Sequence, residues 1–538
     1  MKKLLSILAI LVLFSCEEQK QQADLIVTNA NIYTVDEAFS KAEAFAVKDG
    51  KFVAVGTSEA ILSSYESDSI VDAKEQVITP GLIDAHCHFL NLGLGLNQVD
   101  LMGTKSYEEV VQRVVDFQKE KNLEYILGRG WDQNDWEDKS FPNKAKLDTL
   151  FPDTPIALTR VDGHAILANQ AALDLGKVNI DSKIDGGELL AENDKLTGVL
   201  IDNAESLVMN YWPISTKKEA IKALLDAQDK CFGLGLTTVN DAGLSIEAIN
   251  LIDSLQQSGD LKMRVYAMAS ATQKNLDYFI GRGIIKTDYL NVCSFKFYAD
   301  GALGSRGAML RDPYSDKPGH FGLLVNDIKT LKETAQRIAN SEYQMNTHAI
   351  GDSANHAVLD TYKEVLNGKP NRRWKIEHAQ IVSQEDFPKF NDIIPSVQPT
   401  HATSDMYWAE DRVGAERIKG AYAFKDLLNQ YGKVALGTDF PVERVNPMLT
   451  FYAAVARQDL EQYPDGGFQM ENALSREEAL RGMTIWAAYS NFEDHEKGSI
   501  EVGKFADFII LDKDIVTVEA VDIPNTKVVE TYVGGEKQ

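Results

Sequence analysis

GLIDAHCHF, residues 81–89, closes an apolar, β-branched run, VITPGLIDAHCHF, interrupted by a single Pro-Gly. Such a run suits a short strand following a turn. In a strand, residues two apart point to the same side, so His86 and His88 face one way and Cys87 the other. On a helix the same two residues would lie about 200° apart and could not share a ligand. The strand therefore offers two imidazole nitrogens to one metal ion. A pair of hydrogen-bonded core histidines is the competing reading at this point.

Working outward, the chain alternates strand and helix. GLTTVND (235–241) precedes SIEAINLIDSLQQSGD, and KMRVYAMAS (262–270) precedes another amphipathic stretch. SFKFYADG (294–301) precedes DIKTLKETAQRIANSEY, and QMNTHAIGD (344–352) precedes NHAVLDTYKEVLNG. KIEHAQ (375–380), IPSVQPTH (394–401) and VALGTDFP (434–441) complete a set of eight strands. Eight strands alternating with helices predict an α/β fold, a closed (β/α)8 TIM-like barrel over residues 81–90 and 216–496. The interval between the first strand and GLTTVND is too long for one crossover. Residues 91–215 are thus expected to form an inserted lid subdomain over the mouth of the barrel, with a purely structural cap as the alternative. The two ends read differently. ADLIVTNANIYTVD, AFAVKDGKFVAVG, GSIEVGKFADFIILD and TKVVETYVGGEKQ are short alternating strands with Asn and Asp-Gly turns. They predict a small β-sandwich domain built from residues 24–80 and 497–538.

The 538 residues suffice for a large core with accessory domains. A net charge of −25 would be repelled by nucleic acid and by anionic lipid surfaces. The N-terminus, MKKLLSILAILVLFSCEEQKQQ, carries two lysines and an apolar run too short to span a bilayer but fitting a secretory signal. LFSC resembles a bacterial lipobox, which implies cleavage before Cys16 and its lipidation, with residues 17–23 as a tether. The expected location is the bacterial cell envelope, lipid-anchored and facing the periplasm; secretion is the alternative. Any membrane attachment must then come from acyl chains rather than charge. Cys87, Cys231 and Cys293 remain as buried free thiols.

In a β/α barrel, polar residues at the C-terminal strand ends converge on one pocket. Here those ends carry His86, His88, Lys296, His348, His378 and Asp439. Each lies in an apolar or β-branched strand, where a lone imidazole or charge is costly without a partner. Together they read as a metal site.

The set ITPGLIDAHCHF, GLTTVND, SFKFYADGALGSR, NTHAIGD, KIEHAQ, VQPTH, LGTDFPV and GSIEVGKFADFIILD resembles the amidohydrolase superfamily, in particular its family-3, YtcJ-like branch. The resemblance covers nearly the whole mature chain. It implies a barrel plus a β-sandwich, a divalent metal centre and hydrolysis of an amide-like C–N bond by metal-activated hydroxide. It further places His86, His88 and Asp439 on one ion and His348 and His378 on a second, with Lys296 bridging as a CO2-derived carbamate. A desolvated lysine beside cations is pushed toward the neutral amine that such a modification needs. A plain ammonium at Lys296 implies a single ion instead. Imidazole and carboxylate ligands suit zinc, iron, manganese or nickel. Asp439 would accept the proton of water and deliver it to the leaving nitrogen.

Four residues are expected at the substrate. Arg306, in DGALGSRGA, could hold a carboxylate with two hydrogen bonds. His401 ends strand seven, His164 lies in RVDGHAILAN of the insert, and Trp131 in GRGWDQND could form an apolar wall. The expected partners are a small amide-like substrate and no nucleic acid, with a homodimer allowed. Ester or lactone cleavage on the same centre, or a non-catalytic solute-binding lipoprotein, are the competing functions.

Overall fold

The computed structural model describes residues 20–96, 98–212 and 216–538. The signal segment and Cys16 lie outside the described residues. Eight parallel strands run β1 (Leu82–Cys87), β2 (Leu236–Leu244), β3 (Arg264–Ser270), β4 (Leu290–Tyr298), β5 (Gln344–Ala349), β6 (Lys375–His378), β7 (Ile394–Val397) and β8 (Ala435–Leu436). They neighbour one another in chain order. The ring is drawn shut between its ends by Asp439 N–H donating to His86 O (2.7 Å) and His88 N–H to Phe440 O (2.8 Å). Helices between the strands start where the sequence supplies caps. Thr216 and Glu219 form a reciprocal capping box at Lys217–Phe232, Ser245 caps Ile246–Ser258, and Asp327 caps Ile328–Ala339.

Two strands are shorter than the sequence suggests. In IPSVQPTH the pairing stops at Val397, because Pro399 opens a helix, Pro399–Asp405, at the position where a missing N–H costs least. His401 therefore sits on that helix and not at a strand end. In VALGTDFP only Ala435–Leu436 pair regularly, and the chain turns sharply at Asp439 (φ 61°).

Between β1 and β2 lies a six-stranded sheet of its own. Val99–Asp100, Ile126–Trp131 and Ile156–Arg160 pair in parallel, then Ala165–Ala168, Lys195–Asp202 and Gly187–Glu192 antiparallel. Trp131, Leu158 and Ile126 fill its centre. Two further sheets pack over Val27, Phe45, Phe52, Ile78, Phe508 and Tyr532. The strand Phe508–Leu511 from the C-terminal part lies between Val77–Pro80 and Val528–Val533, so both ends of the chain share one sheet.

Candidate metal centre

A cavity of about 1160 Å³ opens at the C-terminal ends of the barrel strands. Its lining includes His88, Lys296, His348, His378, His401 and Asp439, and on the insert side Arg129, Arg160, Asp162 and His164. His86 lies just behind, fully buried.

Three ring orientations are fixed from behind. His86 Nδ1 donates to Glu377 Oε2 (2.7 Å), His88 Nδ1 to Ala242 O (3.0 Å) and His378 Nδ1 to Gln398 Oε1 (2.8 Å). A neutral imidazole that donates at Nδ1 keeps a lone pair at Nε2. Burial, aided by neighbouring imidazoles, holds His348 and His378 well below the usual histidine pKa and hence neutral.

These lone pairs meet a carboxylate. His88 Nε2 stands 3.2 Å from Asp439 Oδ1, and His86 Nε2 3.7 Å from it. Burial acts to raise the Asp439 pKa, but the His401 ring beside it outweighs burial and holds the carboxyl well below the ordinary range. With Nδ1 donating to Ala242 O, the neutral His88 ring presents a lone pair at Nε2 to Asp439 Oδ1, and a cation between the two would satisfy both. Asp439 Oδ1 and His348 Nε2 are both buried with no hydrogen-bond donor among the described residues. The ligand atoms of His86, His88 and Asp439 lie within 4.8 Å of one another, as do those of His378, His401 and Asp439. The donor set fits a divalent ion.

Lys296 Nζ is 2.9 Å from His86 Nε2. Burial pulls its pKa down to about 8, against the attraction of Glu377 and Asp439. Glu377 works in the other direction: burial opposes ionisation, yet His86 and Lys375 bring it down to about 2. The backbone is strained at the rim, with φ 75° at His378, 42° at Ala379 and 61° at Asp439. Each such non-glycine residue costs on the order of 1–3 kcal/mol, and such strain clusters at functional sites.

The six ligand candidates read from the sequence, His86, His88, Lys296, His348, His378 and Asp439, converge here. His401 approaches the same carboxylate, Nε2 3.5 Å from Asp439 Oδ2, while its Nδ1 pairs with Glu443 Oε1 at 3.0 Å. His164 lines the cavity on the insert side, its Nδ1 2.7 Å from Asp202 Oδ1 and its ring 5.3 Å from that of His348. Two expectations need correction. Trp131 does not wall the cavity: it is 0% exposed, its Nε1–H donates to Leu158 O (2.7 Å), and it packs against Trp136 and Phe141 inside the insert. Arg306 does not reach the cavity either, because Asp316 takes its fork in two hydrogen bonds of 3.2 and 2.8 Å. Glu377, Gln398 and Arg129 also serve the site, although the sequence alone does not mark them.

Against known proteins, residues 69–537 match the amidohydrolase family model. The putative amidohydrolase YtcJ of Bacillus subtilis is 29% identical over 94% of this chain and 97% of its own. The N-substituted formamide deformylase of Arthrobacter pascens is 25% identical over 96% and 98%. Among solved structures, an uncharacterized metal-dependent hydrolase from Pyrococcus horikoshii superposes with a TM-score of 0.76 at 29% identity, covering 92% of this chain and 99% of that one.

Proposed function

The chain belongs to the amidohydrolase family, and from that premise we propose that this metal-dependent hydrolase cuts the C–N bond of a small amide, such as an N-acyl amine, a formamide or a cyclic amide. The observation that carries the reading is the face-to-face pair of acceptors, His88 Nε2 and Asp439 Oδ1, beside His86 at the mouth of the barrel. The formamide deformylase relative supports a formyl or other small acyl group on the substrate.

His86, His88 and Asp439 would hold one divalent ion, and His348 and His378 a second, with a carbamate on Lys296 as the bridge. An ion held there supplies Lewis acidity and lowers the pKa of water toward neutrality. The protein's own groups do the rest. Asp439, an anion in a buried site, takes the proton of water as its oxygen bonds to the carbonyl carbon. The same carboxyl returns that proton to nitrogen as the C–N bond breaks, so that acid and amine leave balanced. The strained backbone at Asp439 and the ring of His401 fix the angle at which that carboxylate is presented.

The test is turnover of an amide panel by the purified, metal-loaded protein. Chelation should abolish turnover and added divalent metal restore it, while Asp439→Asn should lower kcat by about 10²–10⁴-fold. Undiminished hydrolysis by that variant, or by the chelated protein, would sink the reading. Metal analysis of Lys296→Ala should show loss of one equivalent; unchanged content removes the bridge.

The same proposal includes location. The apolar N-terminal segment and LFSC support lipidation at Cys16 and attachment to a bacterial envelope membrane, facing the periplasm. Cys16→Ser should turn the protein soluble on cell fractionation; co-sedimentation with membranes as before would refute the anchor.

A further inference from the structure

Arg129 is a cavity charge with no carboxylate in contact among the described residues. It projects from the insert strand Ile126–Trp131 and lines the cavity. Among the described residues its guanidinium donates only to carbonyls, Nη2 to Val161 O at 3.0 Å and Nε to Pro441 O at 3.4 Å. Among the described residues no carboxylate reaches ion-pair distance; Asp439, Asp162 and Glu205 act on it only from farther away. Neighbouring guanidiniums are treated differently. Arg160 is clasped by Asp132 and Asp162, and Arg306 and Arg412 by Asp316.

A half-buried guanidinium with no anion in contact is costly. In a chain with 80 acidic against 55 basic residues, a local partner would be easy to supply. The surroundings also keep the fork clear. Gly163 (φ 75°) faces it, and a Cβ there would stand 3.2 and 3.3 Å from the two terminal nitrogens. Pro441, whose carbonyl accepts from Nε, is two residues beyond Asp439, and Asp439 is the carboxylate that acts most strongly on the guanidinium.

We infer that Arg129 is the binding residue for a carboxylate carried by the substrate, so that the site acts on anionic amides. This rests on the hydrolase reading of the same cavity. A carboxylate near a scissile amide arises in two ways, on the amine side as in an N-acyl amino acid, or on the acyl side as in the monoamide of a dicarboxylic acid. Both present the planar, two-oxygen acceptor that a guanidinium fork matches.

Metal-loaded wild type and Arg129→Gln are to be assayed with N-formylalanine, succinamate and the uncharged N-ethylformamide. The readout is kcat/KM for each acid divided by that for the neutral amide, a ratio from which general losses of folding or metal cancel. The expected ratio is above one in wild type and falls by about 30-fold or more in the variant. Arg129→Lys should lie between, since an ammonium keeps the charge but not the fork. The acid showing the larger fall reports the side on which the carboxylate sits. The same ratio in wild type and variant overturns the inference and leaves the hydrolase reading standing. No turnover on these or the wider amide panel overturns the hydrolase reading instead. Titration calorimetry with N-formylalanine then decides Arg129: binding that is lost in Arg129→Gln supports it, and binding that is absent in wild type or equal in both sinks it.

Discussion

Glu377 touches neither the cavity nor solvent, yet it determines what His86 can offer. By accepting from Nδ1 at 2.7 Å it fixes the tautomer, and as an anion it makes the ring a stronger base at Nε2. Both side chains are fully buried, so no water can substitute for the contact. Glu377→Gln keeps the shape and removes the charge. It should weaken metal binding by about 10–100-fold, read by competition against a chromogenic chelator. An unchanged affinity would mean that Glu377 serves only the folding of the barrel. Residues of this kind are hard to see in a sequence. Alternation along KIEHAQ places Glu377 and His378 on opposite faces, whereas the left-handed backbone at His378 (φ 75°) ends the alternation and lets both serve one site.

At the scale of elements, the closing step of the barrel depends on a residue with no side chain. A Cβ on Gly437 would stand 2.5 Å from His86 N, 2.8 Å from Asp84 Oδ1 and 2.9 Å from His86 O. Asp84 is the clasp there, accepting from His86 N, Thr438 N and Thr438 Oγ1 at 3.1, 3.0 and 2.7 Å. Gly437→Ala must push β8 away from β1, costing about 1–3 kcal/mol of stability and spreading two of the metal-site residues, His86 and Asp439. Chemical denaturation of the metal-free protein checks the first effect and metal content the second; wild-type values in both would show that the seam can yield. This tightness also explains which parts of the fold were legible. Strands such as QMNTHAIGD announce themselves by apolar residues around a costly imidazole, and the ligands could be picked out for the same reason. The extents of β7 and β8 could not, because Pro399 and Asp439 redirect the chain through local backbone geometry. Trp131 and Arg306 went astray for a further reason. Their neighbours Leu158 and Asp316 are respectively 27 and 10 residues away, and nothing in composition distinguishes a core tryptophan or a paired arginine from a ligand contact.

At the scale of the whole molecule, a buried ion pair joins the barrel to the sandwich. Arg264, on β3, donates from Nε to Asp507 Oδ2 (2.6 Å) and from Nη2 to Asp507 Oδ1 (2.9 Å), and its third arm reaches Asp288 O (2.6 Å). Asp507 also accepts from Gly534 N at 2.8 Å, so the pair ties the strand Phe508–Leu511 and the turn after Val528–Val533 to the barrel floor. The guanidinium is covered by Phe505 and Tyr289, with ring centroids 4.0 and 4.8 Å from its carbon. A pair this deeply sunk does not add much over a hydrophobic contact of equal volume, but breaking one side of it leaves an unpaired buried charge. Asp507→Ala should therefore destabilise the protein by about 3–5 kcal/mol. The double variant Arg264→Met/Asp507→Ala, which removes the stranded cation, should recover part of that loss. Urea unfolding of both, followed in parallel by far-ultraviolet circular dichroism and tryptophan fluorescence, separates the cases. If the joint couples the domains, the single variant lowers both transitions together, since the strands of the sandwich come from both ends of the chain and close over the barrel between them. A sandwich that melts alone, with the barrel transition where wild type has it, would show that the two cores are energetically separate.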